Sequence, residues 1–525
     1  MFEKDHLPRV IFLSRRVVFD LLTGELMAEL RRKYSTKFVL LLNDPSLAGL
    51  AKKWLGDGDN AIYVSDLNKK MMDELAAPET AEAVWARAKE VEEKYGFNIF
   101  YDVFHQDKRI ATTALGVAAY SPYNDASGID YLRHVREAVW WCDTFERLFT
   151  DYGVDIVLER PGDLMTAVSV EIALAKGIPV TFSTPARHGG RIIWSDGPYM
   201  GCRCLKALFS SLEGHASSKR LDLPGESEIK LGEMTLDAIP HYKSAKMAGS
   251  IFDLCEKLAK LAVDRLIWLA RDIARGKFGK RLSFWPVVKS QVHRWHASRS
   301  LARLCVSDPK HIKSAPYILF LLPLEPEYTT LSLARDFSDT LFVIQRLAFS
   351  LPAGVRLVIK EHSINIGNRS IDYYRRILAL PNVLLVDPQM PGTALASDAL
   401  AVATISGTIA LEAASLGKRA LMFTSHIEYS FLPNITIVES TRELPKTLRT
   451  LTAPYGLDEA ERYKRAASVY YDCLEQITFD APSLAIFGGN EAPIEHGEIA
   501  RAAELLIDYY KFTKRHGCSE ECLQQ

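Results

Sequence analysis

Between Leu400 and Phe423 the chain leaves itself little choice of architecture. Leu400-Ala401-Val402-Ala403-Thr404-Ile405 is a short apolar run of strand length, and it ends on Ser406-Gly407-Thr408. Ile409-Ala410-Leu411-Glu412-Ala413-Ala414-Ser415-Leu416 is a helix-forming octet closed by Gly417, and Ala420-Leu421-Met422-Phe423 reads as a second buried strand. The order is strand, tight turn, helix, strand. Small residues let a ligand approach the turn, and free N–H groups at the helix start favour an anion. Open α/β sheets bind ligands at the carboxyl ends of their strands. The turn is therefore expected to hold a diphosphate.

The same alternation runs through the C-terminal half. Strands are predicted at Tyr317–Pro323, Val355–Ile359, Val383–Val386 and Ile435–Val438. Helices are predicted at 337–350, 371–380, 393–397 and 443–451. Leu341, Ile344, Leu347 and Ala348 fall on one face of the first. Alternation of this kind implies a parallel sheet covered on both faces. The N-terminal part repeats it less regularly, with strands near Val10, Phe38, Ala61, Asp155 and Pro179 and long helices over 80–95 and 131–152. The chain has 525 residues, too many for one ordinary core. Two α/β domains facing a cleft are expected, over residues 1–213 and 311–455. Residues 214–310 form a loop and a helical insertion between them, and residues 456–525 are C-terminal helices.

That insertion is basic. Residues 243–303 carry fourteen Lys and Arg against four acidic side chains, interleaved with Trp268, Phe278, Phe284, Trp285 and Trp295. Basic and aromatic residues on an amphipathic helix fit an anionic membrane surface, and equally a solvated arm packed on the domains. The whole-chain charge of −1 gives no reason to expect a nucleic-acid partner. No signal peptide or membrane span can be drawn. The eight cysteines suggest no disulfide framework. Cytosolic residence follows as the expectation.

Three predicted strand ends share one rim of the second domain. They are Pro323–Thr330, Lys360-Glu361-His362-Ser363 and the Ser406-Gly407-Thr408 turn. Lys360 supplies a cation, His362 a proton carrier or donor, and Glu325 and Glu327 carboxylates. Arg335 and Arg369 could add positive charge. Glu412, one turn into the helix, could accept from a ribose. Positive charge and N–H donors are what a leaving nucleoside phosphate needs.

From Tyr317 to Phe431 the chain resembles the nucleotide-sugar half of bacterial surface-polysaccharide glycosyltransferases of GT-B architecture, the capsule-biosynthesis and Kdo-transferase-like group. The likeness lies in Pro323–Thr330, Arg335–Asp339, Lys360-Glu361-His362, Arg369, Tyr373-Tyr374, Pro381-Asn382-Val383, Ser406-Gly407-Thr408, Glu412-Ala413 and Gly417-Lys418. Ser363 stands where the family usually has proline, and Leu324 where glutamine is frequent. The resemblance implies two Rossmann-like domains and donor-site roles for Lys360, His362, Ser406, Gly407 and Thr408. It implies transfer of a sugar from CMP-Kdo or a UDP or GDP sugar to a surface-polysaccharide or lipid-linked glycan acceptor. The enzyme would work at the cytoplasmic face of the inner membrane, with 243–303 as a peripheral attachment. No cofactor is called for, because the nucleotide sugar is a substrate, and no metal is required in this fold class.

Acceptor chemistry falls to the first domain. Asp102, His105, Asp107, Glu159, Asp163, Arg187 and His188 are candidates, with Asp102 and His105 foremost as proton acceptors beside Glu327 and His362. A nucleotide-sugar epimerase-like isomerase, or a non-catalytic glycan-assembly scaffold, is the alternative reading.

Overall fold

A computed structural model describes residues 7–15, 20–42, 48–115, 130–187, 191–216, 251–274, 284–481 and 495–516. The first sheet contains β1 (Val10–Arg15), β2 (Lys37–Leu42), β3 (Asn60–Tyr63), β4 (Ile156–Leu158), β5 (Val180–Pro185) and β6 (Arg191–Asp196). The second contains β7 (Tyr317–Leu321), β8 (Arg356–Lys360), β9 (Val383–Val386), β10 (Ala401–Thr404), β11 (Arg419–Met422) and β12 (Ile435–Ile437). A short β13 (Phe479–Asp480) returns to the first sheet beside β6.

Both sheets have the Rossmann order. The first runs β3-β2-β1-β4-β5-β6-β13 and the second β9-β8-β7-β10-β11-β12. In each, the chain starts at the centre, builds outward on one side, then crosses to build the other. The second sheet is parallel throughout. In the first, β6 alone runs antiparallel to its neighbours β5 and β13. The reversal of order falls between β1 and β4, and between β7 and β10. There the helices on either side diverge and leave a crevice at the carboxyl ends.

The central strands are buried on both faces, which is why they read as continuous apolar runs: all four residues of β10 are buried. The helix following Asp339 starts at Thr340, because the Asp339 carboxylate accepts from the N–H groups of Leu341 and Phe342 at 3.0 and 3.1 Å. The predicted helix over 337–350 thus opens with a separate 3-10 turn, Arg335–Phe337. The hairpin partner β6 was not anticipated. The signal for it was the Gly189-Gly190 pair between two β-rich runs; residues 188–190 lie outside those described.

One apolar cluster crosses the domain boundary, joining Phe182, Met200 and Leu205 to Leu333, Ile427 and Leu432. Met200 N–H donates to the His426 carbonyl at 3.0 Å. Tyr328, after β7, lies against Phe182 and beneath the Arg160 guanidinium, which is 5.6 Å from its ring centre. The carboxyl edge of the second sheet therefore faces the first domain. Two Rossmann-ordered sheets opposed in this way make a GT-B fold. The C-terminal helix His496–His516 packs on the first sheet, where Trp194 donates to the Ala502 carbonyl at 3.0 Å.

The basic region contributes helices Ile251–Ala274 and Phe284–Leu304. The second leans on the second domain so closely that a Cβ at Gly367 would meet the Arg294 carbonyl at 2.5 Å. Residues 217–250 and 275–283, including the predicted loop, lie outside the described residues. Among the described residues no helix is long and apolar enough to cross a membrane.

Candidate functional site

The rim is built from the ends of β7, β8 and β10. Lys360 is the last residue of β8 and pairs in register with Leu321 of β7. Its ammonium has no hydrogen-bond or ion-pair partner among the described residues, and burial lowers its pKa. Glu361, Asp387 and Glu412 partly counter that shift, which places Glu412 within electrostatic reach of the cation.

His362 follows. Its Nδ1 accepts from the Ile364 N–H at 3.3 Å. That contact assigns the neutral tautomer with its proton on Nε2. Burial also lowers the His362 pKa, with Glu361 and Glu327 opposing. Nε2–H is left as a donor. Glu327 precedes the short helix Tyr328–Leu331, and one carboxylate oxygen accepts from Thr329 Oγ1 at 3.0 Å.

At β10, Gly407 is required by close approach. Its N–H donates to Thr404 Oγ1 at 3.0 Å, and a Cβ there would sit 2.6 Å from that oxygen. The Gly407 N–H is thus spent within the turn. The helix after it, Ile409–Ser415, has seven residues, so its dipole is small and most of the positive charge on this rim has to come from Lys360. Glu412 accepts from Thr408 Oγ1 at 3.1 Å, and burial raises its pKa. The Ser406 carbonyl accepts from the buried Tyr429 hydroxyl at 3.2 Å, which fixes the turn from below.

Glu325 and Arg369 were expected at the ligand. The structure pairs them with each other. The Arg369 side chain is 2 % exposed. It pairs with Glu325 at 2.8 Å and with Glu361, and donates to the Pro323 carbonyl at 2.9 Å. Tyr374 donates to the other Glu361 oxygen at 2.6 Å. The guanidinium therefore ties the β7 loop to the β8 loop.

Arg335, Asp102 and His105 do come together, but on one another. Arg335 Nη1 meets Asp102 Oδ1 at 2.5 Å, and its guanidinium lies 5.2 Å from the Tyr101 ring centre. Tyr101 donates to Asp336 at 2.9 Å. His105 Nδ1 donates to the Leu331 carbonyl at 2.8 Å, and its Nε2 is 3.3 Å from the Ser338 hydroxyl. These contacts clasp the two domains: Asp102 is held in an ion pair, and His105, donating through Nδ1, keeps its Nε2 lone pair beside the Ser338 hydroxyl.

The other first-domain candidates are structural in setting. Asp107 accepts from the N–H groups of Arg109, Ile110 and Leu164 at 2.8, 3.2 and 3.1 Å. Asp163 caps the helix Leu164–Ala175 in a capping box with Thr166. Glu159 accepts from the Arg160 N–H at 3.0 Å. Arg187 has φ +58 and lies 3.9 Å from Glu428. His188 lies outside the described residues. No group of His, Cys, Asp and Glu among the described residues is arranged to hold a metal ion.

Two carboxyls went unnoticed in the sequence. Burial pushes Glu171 up to about 8, and Glu428 up to about 7. Glu428 had a readable signal, since Ser425-His426-Ile427-Glu428 follows β11 and is a fourth strand end on the same rim. Glu171 sits in the middle of a helix, where nothing in the sequence distinguishes it from a solvated residue.

No family model matches this chain, and no curated protein matches it in sequence. Among solved structures, the S. aureus MnaA–UDP co-structure aligns at 10% identity over 89% of this chain and 94% of its own, with a TM-score of 0.26. UDP-GlcNAc 2-epimerase from Neisseria meningitidis, bound to UDP-GlcNAc, aligns at 12% over 95% and 99%, also at 0.26. CalG4, the calicheamicin glycosyltransferase, aligns at 12% over 96% and 99%, at 0.24. With scores this low, the assignment of fold rests on the strand orders and opposed edges described above.

Proposed function

We propose that this chain is a metal-independent GT-B glycosyltransferase that takes a nucleotide sugar at the β7–β8–β10 rim. The observation that carries this is Lys360: a half-buried ammonium with no protein partner among the described residues, beside the crevice where the strand order reverses. A buried cation left unpaired is costly unless a ligand's negative charge completes it. In this reading the diphosphate, or the phosphate of a CMP sugar, lies between Lys360 and the Ser406-Gly407-Thr408 turn, and Glu412 accepts from the ribose. His362 Nε2–H donates to the departing phosphate oxygen, and Glu327 takes the acceptor's proton. Asp102, His105 and Arg335 hold the cleft closed around the reactants.

The donor is CMP-Kdo or a UDP or GDP sugar, and the acceptor a surface-polysaccharide or lipid-linked glycan. A melting-point panel with CMP, UDP, GDP and CDP tests the site, because a ligand bound only by the folded state raises the midpoint by mass action. One nucleotide is expected to stand out. Slow release of that nucleotide from the sugar donor alone, without an acceptor, is the expected sign of a transferase. Interconversion of the sugar nucleotide without net release would instead make the chain an isomerase, and no shift with any nucleotide would remove the site.

The helix Ile251–Ala274 adds an attachment surface to this proposal. Ile251, Phe252 and Val263 are exposed on it, with Lys257 and Lys260 nearby. Cosedimentation with phosphatidylglycerol vesicles, but not with phosphatidylcholine vesicles, is the expected behaviour, and it should be lost in Phe252→Glu/Lys257→Glu. Equal binding by parent and variant would remove the attachment.

A further inference from the structure

The outer surface of the second domain carries a basic and aromatic face that has no part in the chemistry proposed above. Three helices form it: Thr340–Ser350, Ile371–Leu378 and Leu444–Thr452. Ile344, Tyr374 and Leu448, one from each, share a buried cluster with Phe320 of β7 and Leu357 of β8, so the three cover the same face of the second sheet. Thr340–Ser350 is the middle one and packs against both others.

A surface helix ordinarily turns polar residues to water. In the middle helix the outward positions Phe342, Arg346 and Phe349 recur at i, i+4 and i+7, and all three are exposed. Phe342 is 40 % exposed and Phe349 70 % exposed. A single surface phenylalanine needs no explanation, but two aligned around an arginine make a stripe. Cations border that stripe on both flanks. Ile371–Leu378 contributes Arg375 and Arg376, and Leu444–Thr452 contributes Lys446 and Arg449, all exposed. The side chains of Arg346, Arg376, Lys446 and Arg449 have no ion pair among the described residues. Over the three helices five cations stand against one acid, Asp372, which is 3.1 Å from Arg375. Of the acids at the helix starts, Asp339 already accepts from the N–H groups of Leu341 and Phe342, and Glu443 follows Arg442. On a chain of net charge −1, this is a marked separation of charge.

We propose that this face lies on an anionic lipid surface, with Phe342 and Phe349 entering the headgroup region and the five cations meeting lipid phosphates. Aromatic side chains gain by leaving water at that depth, and each basic side chain near an anionic leaflet adds attraction. An acidic protein would match the charge, but protein partners are fixed by anchors seated in pockets. These phenylalanines instead stand out from a helix. Cations on both flanks suit a surface whose phosphates have no fixed positions. The proposal goes beyond the attachment assigned to Ile251–Ala274, because it sets a face of the second domain itself on the bilayer; it shares with that reading only the class of partner. The helix Phe284–Leu304 links the two surfaces, since it packs on both Ile251–Ala274 and Ile371–Leu378. Stable attachment commonly takes two signals, so each surface is expected to be necessary. The helices cover a face of the sheet, whereas Lys360 ends a strand, so docking leaves the crevice beside the bilayer and not in it.

The test uses the full chain and cosedimentation with vesicles of phosphatidylcholine, alone or mixed with phosphatidylglycerol. Two variants remove the face by different routes: Phe342→Ser/Phe349→Ser and Arg346→Glu/Lys446→Glu/Arg449→Glu. All five positions are exposed, so the melting midpoint should stay near the parent's. Each variant is expected to lower partition into the mixed vesicles about tenfold or more. Added salt should weaken the parent far more than the charge-reversed variant. Parent-like partition by either variant overturns the proposal, and so does a parent that binds both vesicle types equally. Phe252→Glu/Lys257→Glu, run alongside, separates the two surfaces. If it alone loses binding, this face is removed and the Ile251–Ala274 helix stands. If it alone keeps binding, the helix is removed and this face stands. A parent that stays in solution with both vesicle types sinks both. The nucleotide panel bears on neither, so the transferase reading stands or falls separately.

Discussion

Arg369→Ala is expected to cost about 3–5 kcal/mol of stability, the usual consequence of removing one partner from a buried ion network. Arg369 holds Glu325 and Glu361 together and donates to the Pro323 carbonyl, all within a region almost closed to water. Its loss strands two carboxylates where no other cation among the described residues is paired with them. A drop in melting midpoint on the order of 10 °C follows for a domain of this size. The defect should depend on pH with a definite sign. Burial already raises the Glu325 pKa, and Arg369 is what restrains it. Without that restraint the folded variant holds a proton that the unfolded chain has released. The variant should therefore recover stability as pH falls toward the ordinary Glu range, and lose it as pH rises. Arg369→Lys keeps a charge but not the fork that reaches two carboxylates and a carbonyl, so it should rescue only part. A loss under about 1 kcal/mol for the alanine variant would mean the three groups are not buried together as described.

The pairing of Arg369 marks where sequence reading stops. The strand ends at Leu321, Lys360 and Thr404 could be set on one rim from alternation alone, because buried parallel strands are apolar throughout and turn residues close them. Which cations on that rim are free could not be read in the same way. Arg335 and Arg369 are as basic as Lys360, and nothing local distinguishes them. Arg335 is met by Asp102, far away in the first domain, and Arg369 by Glu325 and Glu361 on neighbouring strand ends. Pairing of this kind is a property of the folded sheet and leaves no periodic trace. The same holds for Asp102 and His105. Their close spacing reads as a proton-transfer pair, whereas in the fold they sit on two consecutive short helical segments, and His105 grips the Leu331–Ser338 segment. Helix starts were misplaced by a few residues where a capping side chain overrode periodicity, as Asp339 does for the helix from Thr340. Glu428 was missed because the strand before it seemed to end in ordinary loop residues.

Lys360→Ala should weaken the nucleotide selected by the melting-point panel by about 1.5–3 kcal/mol, roughly tenfold to a hundredfold in affinity. The size follows from the setting. An exposed lysine would give much less, because water screens it; Lys360 is largely desolvated and has no internal partner to fall back on. The same desolvation that makes the cation strong makes it easy to discharge. Its pKa lies below the ordinary lysine value, so nucleotide affinity should decline as pH rises through that lowered value, and at a lower pH than an exposed lysine would give. Lys360→Arg should not restore full binding, because a guanidinium is larger and the crevice is bounded by Glu412 and the neutral His362. Stability offers an independent readout. Removing a half-buried ammonium that has no partner among the described residues should leave the melting midpoint of the free protein unchanged or slightly higher, the opposite of Arg369→Ala. Calorimetry that finds parent-like affinity in Lys360→Ala would show that the nucleotide's phosphates lie elsewhere, and would take with it the role assigned to the β10 turn.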